Sequence, residues 1–79
     1  MTKLEVLAIF AAKRDFAAPD DIWDRLHPRP DRRSLYSYLL RLARQGLLER
    51  GPNARRGRLT YRLTQRGRDR LDYLRQRSR

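Results

Sequence analysis

The apolar residues of this chain change their spacing at Gly46, and that change restricts the folds the chain can adopt. Before Gly46, apolar residues recur at intervals of three and four residues, which is the period of a helix. After it, Leu59, Tyr61 and Leu63 occupy alternate positions, as in a strand with one buried face. Between these two patterns, the Gly-Pro-Asn at residues 51–53 is typical of a loop. The order therefore predicts helices followed by a β-hairpin.

Local signals divide the helical part and add a last helix after the hairpin. Each helix is predicted to start just after a capping residue or at a proline, and these are Thr2, Pro19, Asp31 and Thr64. The first helix covers about residues 3–13 and the third about 31–45. Gly46 ends the third helix, because glycine enters the left-handed conformation at little cost. The predicted fold is α+β and mainly α, a single domain over residues 1–79 in the order α-α-α-β-β-α.

The first predicted helix is apolar over more than half of its girth. Val6, Ile9 and Phe10 add to the helical stripe that faces the core. Two arrangements would cover them, since the helix is either sandwiched within its own chain or covered by a second chain. A chain of 79 residues builds only a small core. We therefore expect a homodimer that hides Val6, Ile9 or Phe10, with the last helix around Tyr73 and Leu74 contributing.

Charge is distributed unevenly along the chain. Residues 1–28 hold four basic and five acidic side chains, a net charge of −1, whereas residues 29–79 hold sixteen basic and four acidic, a net charge of +12. A nearly neutral first part and a strongly basic second part indicate that one side of the molecule binds a polyanion.

Three helices followed by a two-stranded hairpin form a winged helix-turn-helix, and two segments carry a family resemblance. SLYSYLLRLARQGLLER at residues 34–50 and GRLTYRLTQRGRDRL at residues 57–71 resemble the DNA-binding region of PadR-type transcriptional regulators and, more loosely, of MarR-type regulators. Together they cover about half of the chain. The resemblance implies the winged helix-turn-helix fold and binding to double-stranded DNA.

The third helix is the predicted recognition helix. At about 100° per residue, Arg33, Ser37 and Arg41 lie opposite the apolar stripe of this helix. The first turns of such a helix enter the major groove, where arginine pairs with guanine edges and hydroxyl groups bind bases or phosphates. The alternative is an arginine-rich face that is merely solvated. The predicted contacts from this region are Arg29, Arg32, Arg33, Ser34, Tyr36, Ser37 and Arg41.

The tip of the predicted hairpin forms the wing, at about residues 51–58. Arg55, Arg56 and Arg58 are expected to contact the phosphate backbone or the minor groove. Their charges repel one another in the free protein, but they become favourable when phosphates displace counterions. The alternative is a charged loop without a role.

The sequence offers little support for catalysis or metal binding. His27 is the single histidine and lies beside a proline, and no nucleophile with a neighbouring base is visible. Asp20, Asp21 and Asp24 share a helix face, but the helix dipole explains the first two more simply than a metal ion does. The chain contains no cysteine. We therefore predict no enzyme, no cofactor and no metal site.

These patterns together predict a sequence-specific protein that binds double-stranded DNA as a homodimer and regulates transcription. The longest apolar run is too short to span a bilayer, and the first residues lack the layout of a secretory signal. A cytoplasmic protein associated with the prokaryotic nucleoid is the expected setting, without membrane contact. The sequence does not name a small-molecule effector. Two alternatives remain open: a non-specific nucleic-acid binder, architectural or RNA-binding, and a winged helix used for protein interaction.

Overall fold

The computed structural model describes residues 1–52 and 59–78 of the chain. Within these residues, four helices and two short strands follow one another in the predicted order, namely α1 (Lys3–Ala11), α2 (Pro19–Trp23), α3 (Arg32–Arg44), β1 (Leu48–Arg50), β2 (Tyr61–Leu63) and α4 (Gln65–Arg77). The strands form one antiparallel sheet. The predicted class, α+β and mainly helical, is therefore confirmed.

The helix boundaries lie close to the predicted signals. The Asp31 carboxylate accepts a hydrogen bond from the Ser34 backbone N–H at 3.3 Å and so caps α3. Gly46 has φ 80°, the left-handed conformation that ends this helix. The Thr64 hydroxyl accepts a hydrogen bond from the Gly67 N–H at 3.0 Å, and it donates one to the Gly46 carbonyl at 2.6 Å. One side chain thus caps α4 and ties its start to the end of α3.

The hairpin is shorter than the alternating pattern predicts. Its register pairs Leu48 with Leu63 and Arg50 with Tyr61, and Leu59 lies outside the regular strand. Tyr61 compensates by pairing on its other side with Ala17, through two backbone hydrogen bonds of 2.9 Å. This extra pairing anchors the segment between α1 and α2 to the sheet.

The core explains how α1 is covered. Val6 and Phe10 are buried in the domain's own core, which also contains the buried stripe of α3 and Leu71 of α4. The expectation that a second chain hides Val6 and Phe10 is therefore wrong, because α4 and the sheet cover this face of α1 within one chain. Ile9 is only partly buried. The sandwiched arrangement, which the sequence left open, is the one that Val6 and Phe10 adopt.

Gly67 lets α4 approach the end of α3 closely. A β-carbon at this position would lie 2.2 Å from the Leu47 carbonyl oxygen and 2.7 Å from a methyl carbon of Leu63. Any larger residue would force the helix away from that backbone. The absence of a side chain therefore fixes the position of α4 against the segment that connects α3 to β1.

Candidate nucleic-acid interface

One side of α3 is exposed and carries most of the predicted contacts. Leu35, Leu39 and Leu42 are fully buried and hold the helix against the core. The seven predicted site residues that the structure describes are all exposed, and they are Arg29, Arg32, Arg33, Ser34, Tyr36, Ser37 and Arg41. Exposure makes them available to a ligand, so their grouping decides what they could bind.

Four of the predicted residues come together on the exposed side of α3. Arg33, Ser34, Ser37 and Arg41 line a shallow depression of about 350 Å³, which Met1 and Tyr38 complete. We call this surface the α3 face. It presents two guanidinium groups and two hydroxyl groups, which suit the edges of bases and the oxygens of phosphates.

Arg29 and Arg32 lie apart from the α3 face, on the ring of Trp23. Their guanidinium carbons are 4.8 and 4.5 Å from the centroid of the indole ring, within the range of cation–π attraction. The Trp23 Nε1–H donates a hydrogen bond of 2.7 Å to the Pro30 carbonyl, which fixes the ring. Arg29 also lies 3.8 Å from Asp24, in an exposed ion pair that contributes little. Both arginines are thus held near the start of α3.

Tyr36 has an internal partner that the sequence did not indicate. Its hydroxyl donates a hydrogen bond of 3.1 Å to the Asp20 carboxylate. This hydrogen bond, followed by partial burial and the charge of Asp20, raises the pKa of Tyr36 above its ordinary value of 10.0. The hydroxyl therefore keeps its proton at neutral pH. Its donor is already engaged, so the predicted donation to bases or phosphates requires the Asp20 contact to break.

An apolar depression separates α3 from the hairpin. Leu40, on the third turn of α3, is 38% exposed, and Tyr36, on the second turn, is 42% exposed. With Leu59 and Arg50 they border a depression of about 310 Å³. Leu40 is placed beside the α3 face and could meet the methyl group of thymine in a major groove. Sequence analysis missed it as a contact, although it lies outside the apolar stripe of this helix.

The electrostatic character of α3 is wholly positive. It carries Arg32, Arg33, Arg41 and Arg44 and no acidic residue. Within residues 1–52 and 59–78, the ion pairs are Arg29 with Asp24 and Arg62 with Glu49. The four arginines of α3 therefore have no carboxylate partner among the described residues.

The predicted contacts of the wing cannot be placed. Arg55, Arg56 and Arg58 lie outside the described residues, which resume at Leu59. In the part of the chain that is described, no three His, Asp or Glu side chains are grouped to hold a metal ion, and no helix is long and apolar enough to cross a membrane.

Comparison of the sequence and structure with known protein families, with curated proteins and with solved structures finds no match.

Proposed function

We propose that the protein is a winged helix-turn-helix protein that binds double-stranded DNA sequence-specifically and regulates transcription. In this proposal α3 is the recognition helix, and the loop at about residues 51–58 is the wing. The observation that carries the proposal is the α3 face, where Arg33, Ser34, Ser37 and Arg41 converge on one exposed depression. The order of the elements, three helices and then a hairpin, supports it.

The spacing of the α3 face suits the reading of successive bases. Arg33, Ser37 and Arg41 are each four residues apart, so their backbones are about 6 Å apart along the axis of the helix. An α-helix fits into the major groove, and arginine there makes two hydrogen bonds to guanine. Serine binds any base as donor or acceptor. Under this proposal Arg33 and Arg41 read bases and the two serines adapt to their neighbours.

The start of α3 suits phosphate. Its first turn contains Arg32 and Arg33 and no acidic residue, although the dipole of a helix makes this end positive. Positive side chains here repel the dipole in the free protein, and the carboxylate of the capping residue Asp31 offsets part of that cost. A phosphate beside Arg32 would offset more of it. Arg29 adds a third guanidinium at the same end through its contact with Trp23. We assign Arg29 and Arg32, which both lie on the Trp23 ring, to the DNA backbone, where they set the position of α3.

Trp23 tests this assignment. Its ring holds the Arg29 and Arg32 side chains in place before DNA binds, so binding costs little further conformational entropy at these two side chains. Trp23→Leu is expected to weaken binding to all duplexes by about 0.5–1.5 kcal/mol for each arginine released. Trp23→Phe loses the hydrogen bond to Pro30, as the leucine variant does, but it keeps an aromatic face. It is therefore the matched control, and it should bind duplexes more tightly than the leucine variant. Equal affinities of the two variants on matched and scrambled duplexes would contradict this role of the ring.

We also propose that the protein forms a homodimer, in which the DNA site and not α1 brings the two copies together. One copy of α3 spans a single segment of the groove, so two copies related by a two-fold axis read twice as many base pairs. Burial of Val6 and Phe10 within one chain removes them as the interface. We propose that the second copy is recruited mainly on the site itself.

Selection of bound sites from a random pool of duplexes tests the proposed function. The expected result is an enriched motif of a few base pairs, repeated with two-fold symmetry if two copies bind together. A motif without a repeat would contradict the homodimer but not DNA reading. Retention of duplexes without any enriched motif would favour a non-specific nucleic-acid protein, and no retention would favour a protein-interaction module.

A further inference from the structure

Four side chains of α4 form one line along its exposed side. Arg66, Arg70, Tyr73 and Arg77 follow at intervals of four, three and four residues, which places them within about 60° of one another around the helix. Tyr73 is 48% exposed, and the guanidinium carbons of Arg70 and Arg77 lie 5.7 and 5.8 Å from the centroid of its ring. We call this line the α4 stripe. It is absent from the contacts predicted from the sequence.

The α4 stripe carries three positive charges that form no ion pair among the described residues. In the described part of the chain, none of its arginines lies within ion-pair distance of a carboxylate. Asp72 projects from another side of the helix, about 160° from Arg70 and about 120–140° from Arg66 and Arg77. Asp69, at the edge of the stripe, accepts a hydrogen bond of 3.0 Å from Gln65. Three like charges along about 16 Å of helix repel one another, and a polyanion would reverse that repulsion.

The α4 stripe continues the surface that begins at the α3 face. A depression of about 510 Å³ is bordered by Arg66, Arg70 and Tyr73 and by Asp69 at the edge of the stripe. Leu47, Gln45, which caps the end of α3, and Lys3 of α1 complete its border. Met1, two residues before Lys3, borders the α3 face. Residues 1–3 therefore lie between the two basic surfaces and join them.

A second copy of the chain fits this stripe poorly. In a contact with two-fold symmetry, each copy uses the same surface, so the arginines of one α4 stripe would oppose those of the other. Juxtaposed like charges cost several kcal/mol in an interface. This charge pattern also argues against the contact around Tyr73 that the sequence suggested for a homodimer. A line of evenly spaced phosphates is the complementary partner.

We propose that the α4 stripe is a second phosphate-binding surface, which holds the backbone of the duplex beyond the base pairs that α3 reads. This inference rests on the proposed function. Adjacent phosphates of one strand advance about 3.4 Å along the duplex axis, so a stripe of about 16 Å can follow several of them. Arginine is suited to this contact because its planar fork donates two hydrogen bonds to one phosphate. The Tyr73 hydroxyl adds a donor within the same line.

The test compares two double variants on two duplexes. Arg66→Gln/Arg70→Gln removes two charges from the α4 stripe, and Arg68→Gln/Arg75→Gln removes two from exposed positions on another side of the same helix. Since all four arginines are exposed, both variants should keep the wild-type unfolding transition. One duplex contains only the motif obtained by selection, and the other adds about ten base pairs, one helical turn, on each side. Dissociation constants are measured over a range of salt concentrations.

The Arg66→Gln/Arg70→Gln variant is expected to lose the binding affinity that the flanking base pairs contribute. On the flanked duplex its log–log salt slope should be about 1.8 smaller than that of the control variant, because each lost phosphate contact removes about 0.9. On the unflanked duplex the two variants should have equal slopes. Equal slopes on the flanked duplex would overturn the inference while leaving DNA binding intact. A change in the sedimentation of the free protein instead of in flank binding would assign the stripe to a second copy. Failure of the wild type to bind either duplex would refute the proposed function itself.

Discussion

Replacing Leu39 by alanine is expected to lower the free energy of unfolding by about 2–5 kcal/mol. Leu39 is fully buried at the centre of α3 and packs in the single hydrophobic core of the described domain. Truncation removes the transfer free energy of the lost carbons and leaves a cavity that the rigid neighbours fill only in part. A domain of this length has roughly 4–12 kcal/mol of stability in total, so the variant loses a large fraction of it. Urea denaturation followed by circular dichroism measures the difference.

Leu40→Ala is the matched control for this prediction. The two leucines are adjacent in sequence and undergo the same chemical change, but Leu40 is 38% exposed at the border of the α3 face. Its replacement should lower the free energy of unfolding by less than about 1 kcal/mol, because much of its apolar surface already contacts water. Equal losses for the two variants would mean that α3 does not present the face assigned here.

Replacing Arg33 by alanine is expected to weaken binding to the selected duplex by about 1–3 kcal/mol and to relax the preference at one base position. Arg33 lies in the first turn of α3 and borders the α3 face, with no ion-pair partner among the described residues. Its guanidinium group is therefore available for two hydrogen bonds to a guanine edge. The measurement is a titration of the selected duplex and of a set of single base-pair variants of it.

Arg75→Ala is the control that distinguishes the loss of the Arg33 contact from the loss of one positive charge. Arg75 is an exposed arginine on α4, outside both the α3 face and the α4 stripe, so its replacement changes the net charge by the same amount. We expect a small and uniform effect on all duplexes from this control. If Arg33→Ala also weakened every duplex uniformly, Arg33 would be a phosphate contact and the reading of bases would lie elsewhere.

The order and boundaries of the elements could be predicted because they depend on local chemistry. Asp31 caps α3 and Gly46 ends it through interactions with backbone groups a few residues away. The same holds for Thr64 at the start of α4. Such short-range signals are visible in a single sequence, as is the burial of Leu39 in the helical stripe.

Contacts between distant segments could not be predicted in the same way. Whether Val6 and Phe10 pack within one chain or against a second depends on how α4 and the sheet cover α1. The pairing of Ala17 with Tyr61 joins segments that no local pattern connects. The alternation at Leu59 indicated a longer strand, but the sheet pairing begins only at Tyr61.

The candidate site was predictable as a surface but not in its detailed contacts. Helical spacing placed Arg33, Ser37 and Arg41 on one face because residues four apart are neighbours on a helix. It could not show that Arg32 lies over Trp23 or that the Tyr36 hydroxyl is engaged by Asp20, since these partners come from α2. The spacing of the α4 stripe was present in the sequence, but its continuity with α3 became visible only in the fold.

We propose that this domain recognises a particular sequence of double-stranded DNA. The ratio of the dissociation constants for a scrambled duplex and for the selected duplex, at a fixed salt concentration of about 0.15 M, measures that recognition. Our account predicts a ratio of at least about a thousand. A ratio near one with clear binding to both duplexes would contradict sequence recognition and leave only an electrostatic binder. The absence of binding to either duplex would contradict the assignment of the α3 face to DNA.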